Sequence, residues 1–230
     1  MTAIRAIVLD FNGTLAQDDH LVGPLVVDTL ALVGVSLDVE DYHRELAALP
    51  DREVFRLALE RAGLPFDEIR CDRLVRARVD GYLAAVRESS PIDEHATAFV
   101  HAAAARLPLA IASGAFRREI EYVLAASGLE AHFAVVVPID DVRSGKPHPE
   151  GFERALAGLN ATLAQDAPIE PAEVVAVEDA TAGARAARAA GMRVAAIRGR
   201  AYDESSGYAE LVIERLDPAA LELILRLGDG

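Results

Sequence analysis

Lysine is almost absent from this chain. Of its 23 basic residues, 22 are arginine and one, Lys146, is lysine. The exception in Ser144-Gly145-Lys146-Pro147 is either a chance survivor at the surface or a site that needs a compact ammonium on a flexible stem rather than a planar fork. Cysteine is equally scarce. Cys71 is the single cysteine and can form no internal disulfide, which fits a reducing, cytoplasmic setting and an inert buried thiol. Long apolar runs are missing too. Residues 4–9 are too few for a signal peptide or a membrane span, and the Ala-rich stretches are broken by Arg and Pro. Positive charge is in deficit overall: 37 acidic residues leave a formal charge of -14. That balance argues against nucleic acid or an anionic membrane as a partner, and any anionic substrate then needs a local cationic site. The sequence carries no signature of an oligomeric state.

What is present is a chain of 230 residues, 52% hydrophobic, long enough for one large domain or a core with a smaller insert. Short apolar runs rich in β-branched residues occur at 4–9, 107–112, 135–137, 174–177, 194–197 and 211–213. Continuous apolar strands of this kind are buried on both faces, as in a parallel sheet. Helical patterns follow at 117–127, 149–158, 182–190 and 218–227, with Gly128 and Gly191 where helix C-caps belong. The alternation predicts an α/β fold with a doubly wound parallel sheet, whose ligands bind at the carboxyl ends of the strands. Residues 16–90 break the alternation. They read as four helices, 21–33, 39–48, 51–62 and 66–86, and predict a separate small helical domain between the first and second strands.

The polar residues at the strand ends suggest chemistry. Asp10-Phe11-Asn12-Gly13-Thr14 follows the first strand, where a carboxylate beside a Gly-containing turn can act as a nucleophile and form an aspartyl-phosphate. Ser113-Gly114-Ala115 follows the second strand and is expected to open a helix, so that the hydroxyl and the helix-terminal amides bind phosphate oxygens. Glu178-Asp179 follows the fourth strand, and paired acids there suit Mg2+, which takes one or two protein carboxylates plus water and phosphate oxygens. Lys146 then offsets the charge crowding of Asp10, Asp179 and a substrate phosphate. Each motif also has a structural reading: an Asx turn, a helix N-cap, an acidic first turn, a stray surface lysine. Together they make a reaction in which Asp10 attacks phosphorus and water hydrolyses the aspartyl-phosphate.

The chain resembles the haloacid dehalogenase superfamily of hydrolases, in the subfamily with a helical cap inserted after the first motif. The resemblance rests on Asp10-Phe11-Asn12-Gly13-Thr14, Ser113, Gly145-Lys146-Pro147-His148-Pro149-Glu150 and Val177-Glu178-Asp179-Ala180-Thr181-Ala182-Gly183, with their flanks. It implies a Rossmann-like core of residues 1–15 and 91–230 and a cap of residues 16–90. It further implies Mg2+, and hydrolysis of a small phosphorylated metabolite. The implied roles are nucleophile and metal ligand for Asp10, phosphate contact for Thr14, Ser113, Gly114 and Lys146, and metal binding for Asp179 with Glu178.

One position departs from the family pattern. Its phosphatases carry a second aspartate two residues after the nucleophile, and here that residue is Asn12. An amide exchanges no proton at neutral pH, although its backbone carbonyl can still face the metal. Three explanations are open: a leaving group that needs no proton, another acid such as Asp18 or Asp19, or slow turnover. The alternatives to a phosphatase are a catalytically attenuated phosphometabolite-binding protein, a sugar-phosphate mutase, or a dehalogenase, which uses the aspartate but no metal. Schiff-base chemistry of the phosphonoacetaldehyde hydrolase type needs a cap lysine, and residues 16–90 contain none. Among the cap arginines, Arg52 is the best placed to hold a substrate anion. Arg117 and the six histidines read as surface or packing residues.

Overall fold

A computed structural model describes residues 3–47, 49–162, 167–199 and 201–229. The chain divides into two compact units, Met1–Gln17 with Pro91–Gly230, and Asp18–Ser90. Residues 1, 2, 163–166, 200 and 230 of the expected core range, and Ala48 at the end of the expected helix 39–48, lie outside the described residues.

The first unit is built on six parallel strands: β1 (Ala6–Leu9), β2 (Leu109–Ala112), β3 (Phe133–Val137), β4 (Val174–Glu178), β5 (Arg193–Ile197) and β6 (Leu211–Ile213). Their order is β3-β2-β1-β4-β5-β6, and every neighbouring pair runs parallel. Strands β1, β2 and β4 are buried along their whole length, which is why they read as unbroken apolar runs. On one face Ala6, Val8, Ala110, Ala176 and Ala196 share a core with Phe152, Leu156, Ala184 and Ala187. The small strand residues let the helices come close. On helix α7 (Glu150–Thr162), a Cβ on Gly158 would stand 2.8 Å from Val135.

The unit's other helices are α5 (Glu94–Ala104), α6 (Arg117–Ala126), α8 (Thr181–Ala189) and α9 (Pro218–Arg226). Helix α5 has no counterpart among the expected elements. Its signals are nonetheless in the chain: Asp93 caps it by accepting a 2.8 Å hydrogen bond from Ala96 N, and Ala96, Phe99, Val100 and Ala103 bury one stripe. Gly128 and Gly191 follow α6 and α8 with positive φ of 68° and 80°, the left-handed turn that ends a helix. Most other boundaries move by one or two residues. Strand β2 starts at Leu109 rather than 107 because Arg106 and Leu107 still hydrogen-bond back to Ala103.

The second unit contains α1 (Asp19–Ala31), α2 (Val39–Glu45), α3 (Asp51–Arg61) and α4 (Glu68–Val86). Asp38 and Asp67 cap α2 and α4. Gly81 lets α4 approach α1, since a Cβ there would meet Leu25 at 2.9 Å. The unit buries polar groups as well as apolar ones. Buried Arg78 pairs with the partly buried Asp51 at 2.6 Å, and the Tyr82 hydroxyl donates to buried Asp18. Arg52 pairs with Glu68 and Asp72, and its guanidinium also lies 3.7 Å from the buried Cys71 sulfur. No helix among the described residues is long and apolar enough to cross a membrane.

Burial, reinforced by Asp51, pushes the Tyr42 phenol up to about 12. A phenol whose pKa is higher folded than unfolded contributes stability that is lost as pH rises from the unfolded value toward the folded one. The protein is therefore expected to lose about 3 kcal/mol between roughly pH 10 and 12 from this group. Urea unfolding of Tyr42→Phe, which lacks the hydroxyl, checks this. An unchanged high-pH limb in the variant would assign the loss elsewhere.

Candidate active site

The sheet order opens a crevice at one place. From β1 the chain goes on to β2, on one side; from β4 it goes on to β5, on the other. Their loops therefore diverge at the carboxyl ends of β1 and β4, where open α/β sheets bind ligands. Leu9 is paired with Val177, and the Asp10 amide donates to the Val177 carbonyl at 3.0 Å. This register sets Asp10 beside Glu178, the last residue of β4. Both are buried, with 7% and 1% exposure.

Lys146 arrives from 136 residues further along the chain. Its Nζ lies 2.5 Å from Asp10 Oδ1 and 2.5 Å from Glu178 Oε1. The first contact is a hydrogen bond, whereas the second is an ion pair without hydrogen-bond geometry at Glu178 Oε1. The Phe152 ring, fully buried on α7, backs the ammonium with its centroid 5.4 Å from Nζ. The loop that carries Lys146 is anchored at the start of α7. Glu150 accepts from the amides of Arg143 and Ser144 at 3.0 and 3.1 Å, and His148 Nδ1 accepts from Glu150 N at 3.3 Å.

Burial alone would push the Lys146 ammonium down, but Asp10 and Glu178 outweigh it and hold it well above the usual lysine range. Glu178 is pushed well above the carboxylate range, first by burial and then by Asp10 and Asp179, with Lys146 pulling the other way. Asp10, Glu178 and Asp179 each offer an oxygen, and these oxygens lie within 4.8 Å of one another. Three hard carboxylate donors in one crevice fit a small divalent cation such as Mg2+.

The remaining expected residues fall as follows. Asn12 is half-buried in a turn where Gly13, at φ 75°, donates to Ala16 O. The Thr14 hydroxyl donates to Asp179 Oδ1 at 3.3 Å, tying the first motif to the last. Ser113 N donates to Val137 O at 3.0 Å, and Ser113 Oγ accepts from Ala115 N at 3.1 Å. The expectation that Ser113-Gly114 opens a helix is corrected. Helix α6 starts at Arg117 after Phe116, so Ser113 and Gly114 belong to a turn held by the serine's own hydroxyl, not to a helix N-terminus. Asp179 is likewise not an N-cap, because α8 is preceded by Ala180. Arg117 pairs with Glu121 and Asp141. A small cavity borders Ser113, Gly114, Lys146, His148 and Phe152.

A family model described as haloacid dehalogenase-like hydrolase matches residues 4–191. The chain belongs to this hydrolase family. As a haloacid dehalogenase-like hydrolase it is 28% identical to a phosphorylated carbohydrates phosphatase of Thermotoga maritima, over 82% of each chain. It is 30% identical to the CbbY protein of Cereibacter sphaeroides, over 83% of this chain and 82% of that one. The crystal structure of CbbY from Rhodobacter sphaeroides in complex with phosphate superposes with a TM-score of 0.81 at 25% identity, covering 95% of this chain and 99% of that one.

Two supports of this cluster are not marked as such by the sequence. Phe152 sits six residues beyond Lys146 and reads only as a core aromatic. Gly183 closes the fourth motif without a role of its own in the sequence, yet a Cβ there would fall 2.1 Å from the carboxyl carbon and both oxygens of Glu178. The first turn of α8 must therefore lack a side chain for Glu178 to reach Lys146. Gly183→Ala is expected to destabilise the fold by about 1–3 kcal/mol, as overpacking does. Urea denaturation measures it, and a change below about 0.5 kcal/mol, typical of an unconstrained surface position, contradicts the crowding argument.

Proposed function

We propose that this hydrolase is a Mg2+-dependent phosphatase of a small phosphorylated metabolite, with phosphorylated carbohydrates as the first class to test. The observation that carries the reading is the meeting of Asp10, Lys146, Glu178 and Asp179 at the sheet's switch point. The sugar-phosphate class is suggested by the name of the Thermotoga relative.

In this reading the Asp10 carboxylate attacks phosphorus, the bond to the ester oxygen breaks, and an aspartyl-phosphate forms. Water then attacks that phosphorus, releasing inorganic phosphate and restoring Asp10. Lys146 pairs with the Asp10 carboxylate and offsets the charge that gathers as the phosphate approaches. Thr14 and the Ser113-Gly114 turn hold phosphate oxygens. Asp10, Asp179, the Asn12 carbonyl and, in support, Glu178 would hold the Mg2+, which supplies charge neutralisation between nucleophile and phosphate when bound. Residues 16–90 serve as the cap that selects the substrate and excludes water.

The test is phosphate release from a panel of sugar phosphates and acyl phosphates, with Mg2+ and with chelator. Release that depends on Mg2+ is expected. Release equal in both conditions refutes the metal assignment, and absence of release across the panel favours a second reading. That reading is a phosphometabolite-binding protein of attenuated turnover, and Asn12 is the feature that favours it.

A further inference from the structure

We propose that Lys146 is the site's resident counter-cation: it holds Asp10 and Glu178 together before a divalent ion arrives, and it competes with that ion for their oxygens. The inference rests on the reading that the three acids take Mg2+, and it concerns what this chain does at that site without the ion.

Three carboxylates with oxygens within 4.8 Å of one another, two of them buried, are unstable as a charged group. Left to themselves they repel one another, and burying an unpaired charge is unfavourable. The ammonium of Lys146 removes the problem for two of them, standing 2.5 Å from an oxygen of each. Asp179 is held differently, accepting from the Thr14 hydroxyl at 3.3 Å. Phe152 supports the ammonium from behind, with its ring centroid 5.4 Å from Nζ, and Gly183 leaves the space in which Glu178 reaches it. The lysine is thus placed to keep the acids gathered in the crevice.

The same contacts make it a rival of the incoming ion. A divalent cation draws on carboxylate oxygens that the ammonium already touches, and the two cations repel. Two charges on the ion and one on the ammonium, within about 6 Å of each other, weaken binding at least about tenfold even with full water screening. The choice of lysine in a chain otherwise supplied with arginine follows. A guanidinium would clamp carboxylates in a rigid fork, whereas an ammonium is a point charge on a flexible stem that can release one partner and keep the other.

The experiment compares the wild-type protein with Lys146→Met by calorimetric titration with Mg2+ and by melting temperature with and without Mg2+. The variant is expected to bind Mg2+ at least about tenfold more tightly. It is also expected to melt earlier than wild type without Mg2+ and to gain more from saturating Mg2+. An affinity equal to or weaker than wild type overturns the proposal.

Should the variant fail to fold, a second measurement on the wild type decides. Lys146 is the sole lysine, so 13C-lysine labelling gives one set of side-chain signals. Its Cε resonance is expected to shift with Mg2+ at the calorimetric midpoint. A resonance that stays put while Mg2+ binds overturns the proposal. No binding of Mg2+ to the wild type is a distinct result: it removes the metal reading under "Proposed function", and this inference falls with it.

Discussion

Asp10→Asn is expected to lower phosphate release by about 10,000-fold or more, the scale on which removing a catalytic nucleophile acts. The substitution is chosen to leave the surroundings in place. An amide has nearly the shape of the carboxylate and can still accept from Lys146, which keeps its second carboxylate, Glu178. The strand end is held by the backbone bond from Asp10 N to Val177 O, and the substitution does not touch it. Loss of turnover with an unchanged far-UV spectrum and urea midpoint would therefore report on chemistry and not on folding. Steady-state phosphate release from a generic aryl phosphate is the measurement. A variant that retains wild-type activity removes Asp10 as nucleophile, and the aspartyl-phosphate route with it.

Asn12→Asp is expected to act in the opposite direction. A positioned general acid–base is worth about 100- to 10,000-fold, and a carboxyl at position 12 would supply one where the amide cannot. The gain is expected to depend on the leaving group. Alkyl phosphates of sugars release a strongly basic alkoxide and should be hydrolysed at least about 100-fold faster by the variant. Acyl phosphates release a carboxylate that needs no proton, and should be hydrolysed equally well by both proteins. Comparing kcat/KM for the two substrate classes separates the explanations for Asn12. Equal rates on alkyl phosphates would mean that another group already handles the proton. Asp18 is a poor candidate for that task, since it is buried and takes the Tyr82 hydroxyl as a partner.

The parallel sheet was legible because its central strands are buried on both faces and leave unbroken apolar runs in the chain. Helix α5 was not, although its cap and apolar stripe are present. Alanines fill seven of its neighbourhood's positions between 96 and 110, and they mark neither a face nor a strand on their own. The ends of elements shifted where local hydrogen bonding decides, as at Arg106 and Leu107. The Ser113-Gly114 turn was misplaced for a related reason. A serine followed by glycine and then a helical pattern reads as a cap, yet the helix waits until Arg117, after Phe116.

Residue type and position along the chain were sufficient to mark Asp10, Glu178 and Asp179, because each carries a formal charge at the end of an apolar strand, and Lys146, because it is the one lysine among 23 basic residues. They were sufficient as well for the family and its α/β core. Only the tertiary structure decided which partner each charge takes: Lys146 between Asp10 and Glu178, Thr14 on Asp179, Arg52 on Glu68 and Asp72. It alone gave Gly183 and Phe152 their place, since neither carries a charge or a reactive atom. Their contribution is volume, one by withholding a side chain and the other by filling space behind an ammonium. Volume acts through neighbours brought together by folding, so it is invisible in a chain read one residue at a time.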